Sequence, residues 1–306
     1  MYTIGVIGNG FVGSAVISGF SLHSKDIKIY DVDPQRSTHS FEDTVRKSDF
    51  VFVSVPTPMT GGLGGKIDLS ILDSVFEKIN KTRGSSNPIF ILKSTVIPGT
   101  VERLVKEYPK LKIVFSPEFL TERSARLDFI NTSRIILGGS KANCNKVESL
   151  FRTRFPYTKI IKTDAAAAQF IKYMANCFFA VKVSFMNEMR QGADILGCQW
   201  NDVMDGFVSD GRIGNSHIDV PGHDGDFGYG GKCFPKDINA FISFFEDIGV
   251  EPEVMKASWR KNLEVRDNHD WLKIKGATSD NSDFSKEEFE HLILRIICLE
   301  RMPLQT

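Results

Sequence analysis

This sequence lacks an excess of charge of either sign, a cysteine pattern typical of a disulfide framework, and long apolar segments. Lys and Arg together number 38, and so do Asp and Glu, so no overall field draws the chain to nucleic acid or to an anionic membrane. The five cysteines form neither a CxxC pair nor a metal-ligand spacing, and their odd number argues against a disulfide framework. We therefore expect no nucleic-acid partner and no metal, and at least one cysteine that is present for its reactivity.

The longest apolar runs, such as FVFVSVP, are far too short to span a bilayer. The first residues, MYTIGVIGNG, contain neither a basic leader nor a cleavable apolar core. We therefore expect a cytoplasmic location and no membrane partner. With 306 residues, of which 42% are hydrophobic, the chain can bury a substantial core, and its length predicts about two domains.

Short apolar runs alternate with helix-like segments over the first half of the chain. The strand-like runs are YTIGVIG, IKIYDVD, DFVFVSVPTP, PIFILKST, KIVFSP and RIILGGS. Segments with helical spacing, such as LSILDSVFEKI and TVERLVKEY, lie between them. Strands that alternate with helices imply right-handed crossovers between parallel strands. The prediction is an α/β fold in which residues 1–164 form a doubly wound (Rossmann) parallel sheet.

The segment that follows predicts one long central helix over residues 165–197. It contains no proline and only Gly192 before its end, and Asp164 is a plausible N-cap. Its apolar residues lie on nearly all faces, as in a helix buried between domains or in a dimer core, so we expect a homodimer. We expect a smaller helical domain for dimerisation and substrate binding over residues 198–275, and a linker and C-terminal helix over residues 276–306.

A glycine turn follows the first strand-like run. The segment GNGFVG matches G-x-G-x-x-G and opens a helix, whose first N–H groups and dipole would stabilise a pyrophosphate. Asp31 ends the second strand, where its carboxylate can accept hydrogen bonds from both ribose hydroxyls of NAD and repel a 2′-phosphate. Arg36 could favour NADP or lie along the adenosine, but the acidic strand end makes NAD the expected cofactor. The cofactor residues expected from this region are Gly8, Gly10, Phe11, Val12, Gly13, Asp31 and Arg36.

Several further segments resemble one known family in type, order and approximate spacing. Lys172 and Asn176 are spaced i, i+4 and so project from one face of the long helix, although this pair alone is also typical of a solvated lysine beside an asparagine. The segments are GNGFVG, VPTP at 55–58, KSTVIPGT at 93–100, SPEFLTERSA at 116–125, KYMANCFFAVKVSFMNE at 172–188 and FGYGGKCFPKD at 227–237. From residue 1 to about residue 265, the chain resembles the UDP-glucose/GDP-mannose dehydrogenase family.

That resemblance implies a four-electron oxidation, in which the C6 alcohol of a nucleotide sugar becomes a carboxylate and two NAD are reduced. Cys233 matches the family nucleophile, which captures the aldehyde as a thiohemiacetal and carries it to a thioester. Lys172 matches the lysine that stabilises developing oxyanions, and Asn176 and Asp237 match its partners. Glu118 and Thr95 match residues of acid/base or water-mediated steps. Covalent capture also has a chemical reason, since an aldehyde held noncovalently could dissociate before the second oxidation.

The resemblance implies further contacts to cofactor and substrate. The positions near the cofactor are Thr57, Thr95, Glu122 and Lys236. The positions near the substrate are Glu118, Phe119, Leu120, Lys172, Asn176, Arg212 and Gly230, with Arg212 reaching a substrate often across a dimer.

The substrate is less sharply predicted than the reaction. UDP-glucose, giving UDP-glucuronate, is favoured because it is the commonest substrate of the family. The family's common architecture has a third, C-terminal nucleotide-binding domain that this chain is expected to lack, and Arg123 stands where the family has a small residue. Two alternatives remain open: a two-electron NAD(P)-dependent dehydrogenase of the hydroxyacid or phosphogluconate type, and a non-catalytic NAD-binding scaffold.

Overall fold

The computed structural model describes residues 1–61 and 64–279, which belong to two compact units. The first unit contains Met1–Thr57 and Leu69–Lys172, and the second contains Pro58–Asp68 and the chain from Tyr173 onward. The domain boundaries expected at residues 164, 197 and 275 remain predictions. Most of the expected linker and C-terminal helix, from residue 280 onward, lies outside the described residues.

The first unit is built on a sheet of seven strands in the order β2-β1-β3-β4-β5-β6-β7. The strands are β1 (Thr3–Ile7), β2 (Asp26–Tyr30), β3 (Phe50–Val53), β4 (Ile89–Leu92), β5 (Lys112–Phe115), β6 (Arg134–Gly138) and β7 (Lys159–Thr163). All neighbours pair in parallel except β5 and β6, which meet antiparallel through Phe115 and Gly138. The expected α/β sheet is confirmed, with this one antiparallel pairing and with an additional strand, β7, which its short, half-exposed sequence KIIKT did not reveal.

Ten α-helices lie within the described residues. They are α1 (Phe11–Phe20), α2 (Phe41–Arg46), α3 (Ser70–Thr82), α4 (Thr100–Glu107), α5 (Ala125–Ile130), α6 (Lys141–Arg154), α7 (Ala165–Leu196), α8 (Trp200–Val208), α9 (Phe234–Asp247) and α10 (Glu253–Val265).

Helices cover both faces of the sheet, which explains why its strands are nearly continuous apolar runs. Val51 and Phe52 are neighbours on β3 and both are fully buried, yet they belong to different core clusters because successive side chains point to opposite faces. Helices α1, α5 and α6 cover the face of Phe52, whereas α2, α3 and α4 cover that of Val51. The chain reverses its direction across the sheet between β1 and β3, and such a switch point is where doubly wound sheets bind ligands.

Helix α7 is the long helix that the sequence predicted. Its first turn is capped by Asp164, whose Oδ1 accepts a hydrogen bond of 2.7 Å from the N–H of Ala167. It ends before Gly197, whose φ of 70° suits glycine at a helix C-terminus. Several large apolar side chains along it are exposed, among them Met174, Phe178 and Phe185. The expected homodimer remains a prediction. In the described ranges, no helix is long and apolar enough to cross a membrane.

Gly138 permits β6 to approach α7 within the first unit, and this contact predicts the effect of a substitution. A Cβ added at Gly138 would lie 2.4 Å from the Cβ of Ala168 and 3.0 Å from the Cα of Ala165. Because both neighbours belong to a packed helix, we expect Gly138→Ala to lower the free energy of unfolding by about 1–3 kcal/mol. Urea denaturation followed by circular dichroism would measure the change.

Gly192 provides the matched control because a Cβ there would meet no atom within 4 Å. Gly192→Ala should raise the stability by about 0.5–1 kcal/mol, since glycine inside a helix is destabilising relative to alanine. If Gly138→Ala were as stable as Gly192→Ala, the close approach of β6 to α7 would be wrong.

Candidate active site

The glycine turn after β1 has a backbone that only glycine adopts without strain or clash. Gly8 has a φ of 89°, and a Cβ on it would lie 2.4 Å from the carbonyl oxygen of Ser54. A Cβ on Gly13 would lie 2.0 Å from the carbonyl oxygen of Gly8. These two glycines therefore bring the turn close to β3 and to the start of α1.

The surroundings of Gly10 are open, and they show whether a pyrophosphate could fit at this turn. It is the N-cap of α1, and a Cβ on it would meet no atom within 4 Å. The N–H groups of the following first turn, which includes Phe11 and Val12, have no carbonyl partner within the helix. Open space directly over a helix N-terminus, without a side chain to fill it, suits the pyrophosphate of a dinucleotide.

Asp31 is held in a defined orientation beside this turn. Its Oδ2 accepts a hydrogen bond of 2.7 Å from the N–H of Asn9, and its Oδ1 accepts one of 2.9 Å from the N–H of Asp33. Each carboxylate oxygen keeps a further lone pair, which a ribose hydroxyl could use as an acceptor. Arg36 lies on the surface, where its Nε is 3.5 Å from Asp33. Its role in choosing between NAD and NADP stays a prediction.

Glu118 and Lys172 form a buried ion pair within the first unit. Lys172 Nζ lies 2.9 Å from Glu118 Oε1, and the two side chains are 3% and 5% exposed. Glu118 Oε2 accepts a hydrogen bond of 2.7 Å from the N–H of Leu120. Burial acts to raise the pKa of Glu118, but the charge of Lys172 and the Leu120 N–H outweigh it and hold that pKa below its ordinary value. Glu118 is therefore ionised at neutral pH.

The ring of Phe119 adds to this cluster. Lys172 Nζ lies 5.5 Å from the centre of the ring, and the guanidinium carbon of Arg134 lies 4.3 Å from it. Both cations therefore face the π system of one aromatic side chain. The predicted substrate positions Glu118, Phe119, Leu120 and Lys172 thus lie together in the first unit.

Thr57 and Thr95 follow neighbouring strands of the sheet. Thr57 Oγ1 donates a hydrogen bond of 2.8 Å to the carbonyl oxygen of Thr95, and both residues are buried. Glu122, also predicted near the cofactor, begins a single turn of 3-10 helix and is exposed.

Asn176 and Asp237 form the central contact of a second cluster, which lies in the second unit. Asn176 Nδ2 donates a hydrogen bond of 2.5 Å to Asp237 Oδ2, and the other carboxylate oxygen pairs with Lys236. Asp237 is 1% exposed. Both oxygens of a buried carboxylate thus have partners, as a buried charge requires.

Cys233 is the N-cap residue of α9, which begins at Phe234 and contains 14 residues. Its carbonyl oxygen accepts a hydrogen bond of 2.9 Å from the N–H of Asp237. The side chain is half-buried. A thiolate at a helix N-terminus is stabilised by the helix dipole, so this position suits a reactive cysteine.

The glycine-rich loop before Cys233 is fixed by Asn262. This side chain is fully buried, accepts a hydrogen bond of 2.6 Å from the N–H of Tyr229 and donates one of 3.0 Å to the carbonyl oxygen of Tyr229. The N–H of Gly228 donates to Asn187 Oδ1 at 3.0 Å. Two asparagine side chains therefore satisfy main-chain groups that a buried loop would otherwise leave unpaired.

Arg266 and Asp270 complete the support of this loop. Both carboxylate oxygens of Asp270 lie 3.0 Å from the N–H of Gly231. Arg266 is 1% exposed and pairs with Asp224 at 2.9 Å. A Cβ on Gly230 would lie 2.3 Å from Arg266 Nη2 and 2.3 Å from Asp270 Oδ1, so the loop backbone packs directly on these two side chains.

Among residues 1–61 and 64–279, no hydrogen bond or ion pair joins Arg212 to this loop. Its side chain is 89% exposed and pairs with Asp210, two residues away. Its predicted contact with a substrate remains a prediction.

No local motif marks Asn262, Arg266 or Asp270, whose partners are 33 to 42 residues away in the chain. Asn187 belongs to the segment 172–188, but its contact with Gly228, 41 residues away, was not predicted. Lys93, which belongs to the segment KSTVIPGT and is buried beside Glu118, was not predicted either. A lysine directly after a buried strand is the signal that could have found it.

Comparison with family models identifies the chain's relatives. The model of the NAD binding domain of the UDP-glucose/GDP-mannose dehydrogenase family matches residues 35–154, and that of the central domain of the same family matches residues 166–264. The chain belongs to the UDP-glucose/GDP-mannose dehydrogenase family. The family and the NAD cofactor that the sequence predicted are thereby confirmed.

Individual relatives agree with this assignment. A UDP-glucose 6-dehydrogenase of Rickettsia conorii is 28% identical over 301 residues, covering 86% of this chain and 67% of the relative. One of Pseudomonas aeruginosa is 34% identical over 245 residues, covering 75% of this chain and 52% of the relative. The structure of a UDP-glucose dehydrogenase from the hyperthermophilic archaeon Pyrobaculum islandicum matches with a TM-score of 0.75 at 29% identity, covering 86% of this chain and 68% of that one. The chain thus spans from about half to about two thirds of the length of such family members.

We predict that Asn262→Ala destabilises the protein through the loop before Cys233. The substitution leaves the N–H and the carbonyl of Tyr229 buried without partners, which costs about 1–3 kcal/mol for each group. Urea denaturation would measure the loss, and the rate of Cys233 alkylation by iodoacetamide should change with it. Asn268→Ala is the control, because Asn268 makes an exposed hydrogen bond to Asp226. Equal stability of the two variants would contradict the role of Asn262.

We predict that Asp31→Ala weakens NAD binding and narrows the preference for NAD over NADP. Hydrogen bonds to a carboxylate contribute about 1.5–3 kcal/mol, so the Kd for NAD should rise roughly 10- to 100-fold. Calorimetric titration with each dinucleotide would measure this. Asp26→Ala, at the opposite end of β2, is the control. Tighter binding of NADP than NAD by the unmodified protein would refute the assignment.

Proposed function

We propose that this chain catalyses the NAD-dependent four-electron oxidation of the C6 hydroxyl of a nucleotide sugar to a carboxylate. The observation that carries the proposal is Cys233 at the N-terminus of α9, after a loop whose main chain is fixed by buried polar side chains. Because the relatives are UDP-glucose 6-dehydrogenases, UDP-glucose is the first substrate to test, with UDP-glucuronate as its product.

The chemistry divides into two oxidations joined by a covalent intermediate. Bound NAD supplies the hydride acceptor in both oxidations. In the first, the alcohol loses a hydride from C6 and the hydroxyl proton, which gives an aldehyde. The Cys233 thiolate then adds to the aldehyde carbon, forming a C–S bond as the C=O π bond opens, and the oxyanion takes up a proton to give a thiohemiacetal. Loss of a second hydride and of the hydroxyl proton gives a thioester. Attack by water then breaks the C–S bond and yields the carboxylate, the Cys233 thiolate and two protons.

We assign to Lys172 the stabilisation of the negative charge that develops on the C6 oxygen. A buried ammonium stabilises an oxyanion more strongly than a solvated one does, because little water screens it. Its pairing with Glu118 fixes the position of the ammonium before any substrate binds. The Glu118 carboxylate can also accept a proton from the substrate or from the attacking water. Thr95, which follows β4 in the same unit, is assigned to the same water-mediated steps.

Asn176 and Asp237 are assigned to holding a substrate oxygen or the hydrolytic water. Asn176 lies one helical turn after Lys172 on α7, and its amide is oriented by Asp237. The N–H groups of the loop at Gly230 would approach the sugar. Arg212 is assigned to the substrate, and Thr57, Glu122 and Lys236 to the cofactor. The exposed apolar side chains of α7 support a homodimer.

The test is to count NADH against sugar and to remove the thiol. With UDP-glucose, the unmodified protein should form two NADH per sugar consumed. Cys233→Ala should make no acid above a slow background, because the aldehyde then has no covalent carrier to the second oxidation. Cys198→Ala, at an exposed cysteine, is the matched control and should behave as the unmodified protein does.

Other stoichiometries would support other functions. One NADH per substrate molecule would indicate a two-electron dehydrogenase of the hydroxyacid or phosphogluconate type. Binding of NAD without turnover of a panel of nucleotide sugars would indicate a scaffold. Acid formation by Cys233→Ala at the unmodified rate would eliminate the covalent route.

A further inference from the structure

Lys93 is a second buried lysine beside Glu118, and the chemistry above gives it no task. It follows β4 directly and is 4% exposed. Its Nζ donates a hydrogen bond of 2.9 Å to the carbonyl oxygen of Pro117, the residue before Glu118. An ammonium has three N–H donors, so this bond leaves Lys93 with capacity for further acceptors.

A small cavity has both Lys93 and Glu118 in its lining. Its volume is about 20 Å³, which is enough for one water molecule. Polar lining comes from Lys93, Ser116, Glu118, Thr132 and Arg134, and the remaining wall is apolar. A cavity that holds water needs two to four polar partners, and this one has them.

The hydroxyl of Ser116 independently indicates that the cavity binds a polar ligand. It lines the cavity and is 1% exposed, and no atom of the described residues hydrogen-bonds its Oγ. A buried hydroxyl without a partner costs about 1–3 kcal/mol. One water in the cavity would remove that cost.

Burial makes Lys93 able to exchange a proton near neutral pH. Burial lowers the pKa of Lys93 from 10.5 to about 7, Glu118 acts to raise it, and the like charge of Lys172 lowers it further. Lys93 can therefore lose its proton at physiological pH. Arg134 also lines the cavity.

We propose that the cavity binds one water molecule that hydrogen-bonds Ser116, Lys93 and Glu118, and that Lys93 exchanges protons with Glu118 through this water. The Glu118 carboxyl gives a proton to the water, and the water gives one of its own to the neutral amine of Lys93. The products are a carboxylate and an ammonium, and no electrons are transferred. Lys93 acts through Glu118 and does not touch the substrate.

Only the role of this relay in turnover rests on the proposed function. Each oxidation in that scheme releases a hydroxyl proton, and a buried carboxylate that takes it must be returned to its ionised form before the next step. Lys93 provides a store for that proton on the side of Glu118 that faces the cavity. The water and the titration of Lys93 can be tested without any substrate.

The first test uses the protein alone. A crystal structure at high resolution should show one water within hydrogen-bond distance of Ser116 Oγ, Lys93 Nζ and a Glu118 oxygen. The free energy of unfolding should also rise from about pH 7 towards pH 10.5, because over that range the unfolded Lys93 holds a proton that the folded one has released. Lys93→Met should remove this rise, whereas Lys159→Met, at an exposed lysine on β7, should leave it unchanged. An empty cavity, or an identical pH dependence in Lys93→Met, would overturn the proposal.

The second test separates a relay from a structural lysine. Lys93→Arg keeps a cation that can bond the Pro117 carbonyl but cannot release a proton. We expect it to lower kcat roughly 100-fold, the lower range for a lost proton-transfer group, and to abolish any inflection of kcat near pH 7. Ser116→Ala, which removes one ligand of the water, should lower kcat in the same direction with an unchanged KM. A kcat and a pH profile of Lys93→Arg equal to those of the unmodified protein would refute the relay.

If the unmodified protein turns over no nucleotide sugar, the proposed function fails. The crystal structure and the unfolding data would still show whether the cavity holds a water molecule and whether Lys93 titrates near pH 7.

Discussion

The ion pair between Glu118 and Lys172 sets the conditions for the chemistry proposed for the first unit. Removing two such charges from water costs several kcal/mol for each ion, and their attraction at 2.9 Å offsets this only when further polar contacts help. The Leu120 N–H and the ring of Phe119 provide those contacts. Because an apolar pair of similar volume is often as stable as a buried ion pair, stability alone does not explain why these residues are charged. A fixed, poorly screened ammonium is useful where negative charge develops, and this is the task we propose for Lys172.

In the second unit, hydrogen bonds from buried side chains hold the loop before Cys233. The loop before Cys233 presents main-chain groups that are buried, and Asn262, Asn187 and Asp270 satisfy them one by one. Arg266 packs against Gly230 so closely that no side chain fits there. A nucleophile after such a loop has little freedom to move, because any displacement breaks buried hydrogen bonds whose partners cannot turn to water.

Local patterns carried most of the fold and part of the candidate site. The apolar runs of β1 to β6, the cap at Asp164 and the glycine turn from Gly8 to Gly13 have causes that lie within a few residues, so the sequence predicts them. Strand β7 was not predicted because its sequence, KIIKT, is short and half-exposed. The antiparallel contact of β5 with β6 was missed because alternation of strands and helices says nothing about a reversal in direction at one pairing.

Residues whose contacts are distant in the chain could not be predicted from local patterns. Asn262 is 33 residues from the peptide that it holds, and Lys93 is brought to Glu118 only because β4 and β5 are neighbours in the sheet. The motif of 93–100 was recognised as a segment, but nothing in it shows which side chains are buried. Burial, which lowers the pKa of Lys93 to about 7, is a property of the fold and not of the segment.

The surroundings of the four described cysteines explain why Cys233 suits a nucleophile. Burial raises the pKa of Cys144, and burial together with the charge of Asp237 raises that of Cys177 well above its ordinary value, so both thiols stay protonated and unreactive. Cys198 is exposed and follows the C-terminal end of α7, and it is not the N-cap residue of a helix. Cys233 is half-buried at the positive end of α9. A thiol that must both ionise and reach a substrate needs partial exposure and a positive surrounding, and among these four cysteines that combination occurs at Cys233.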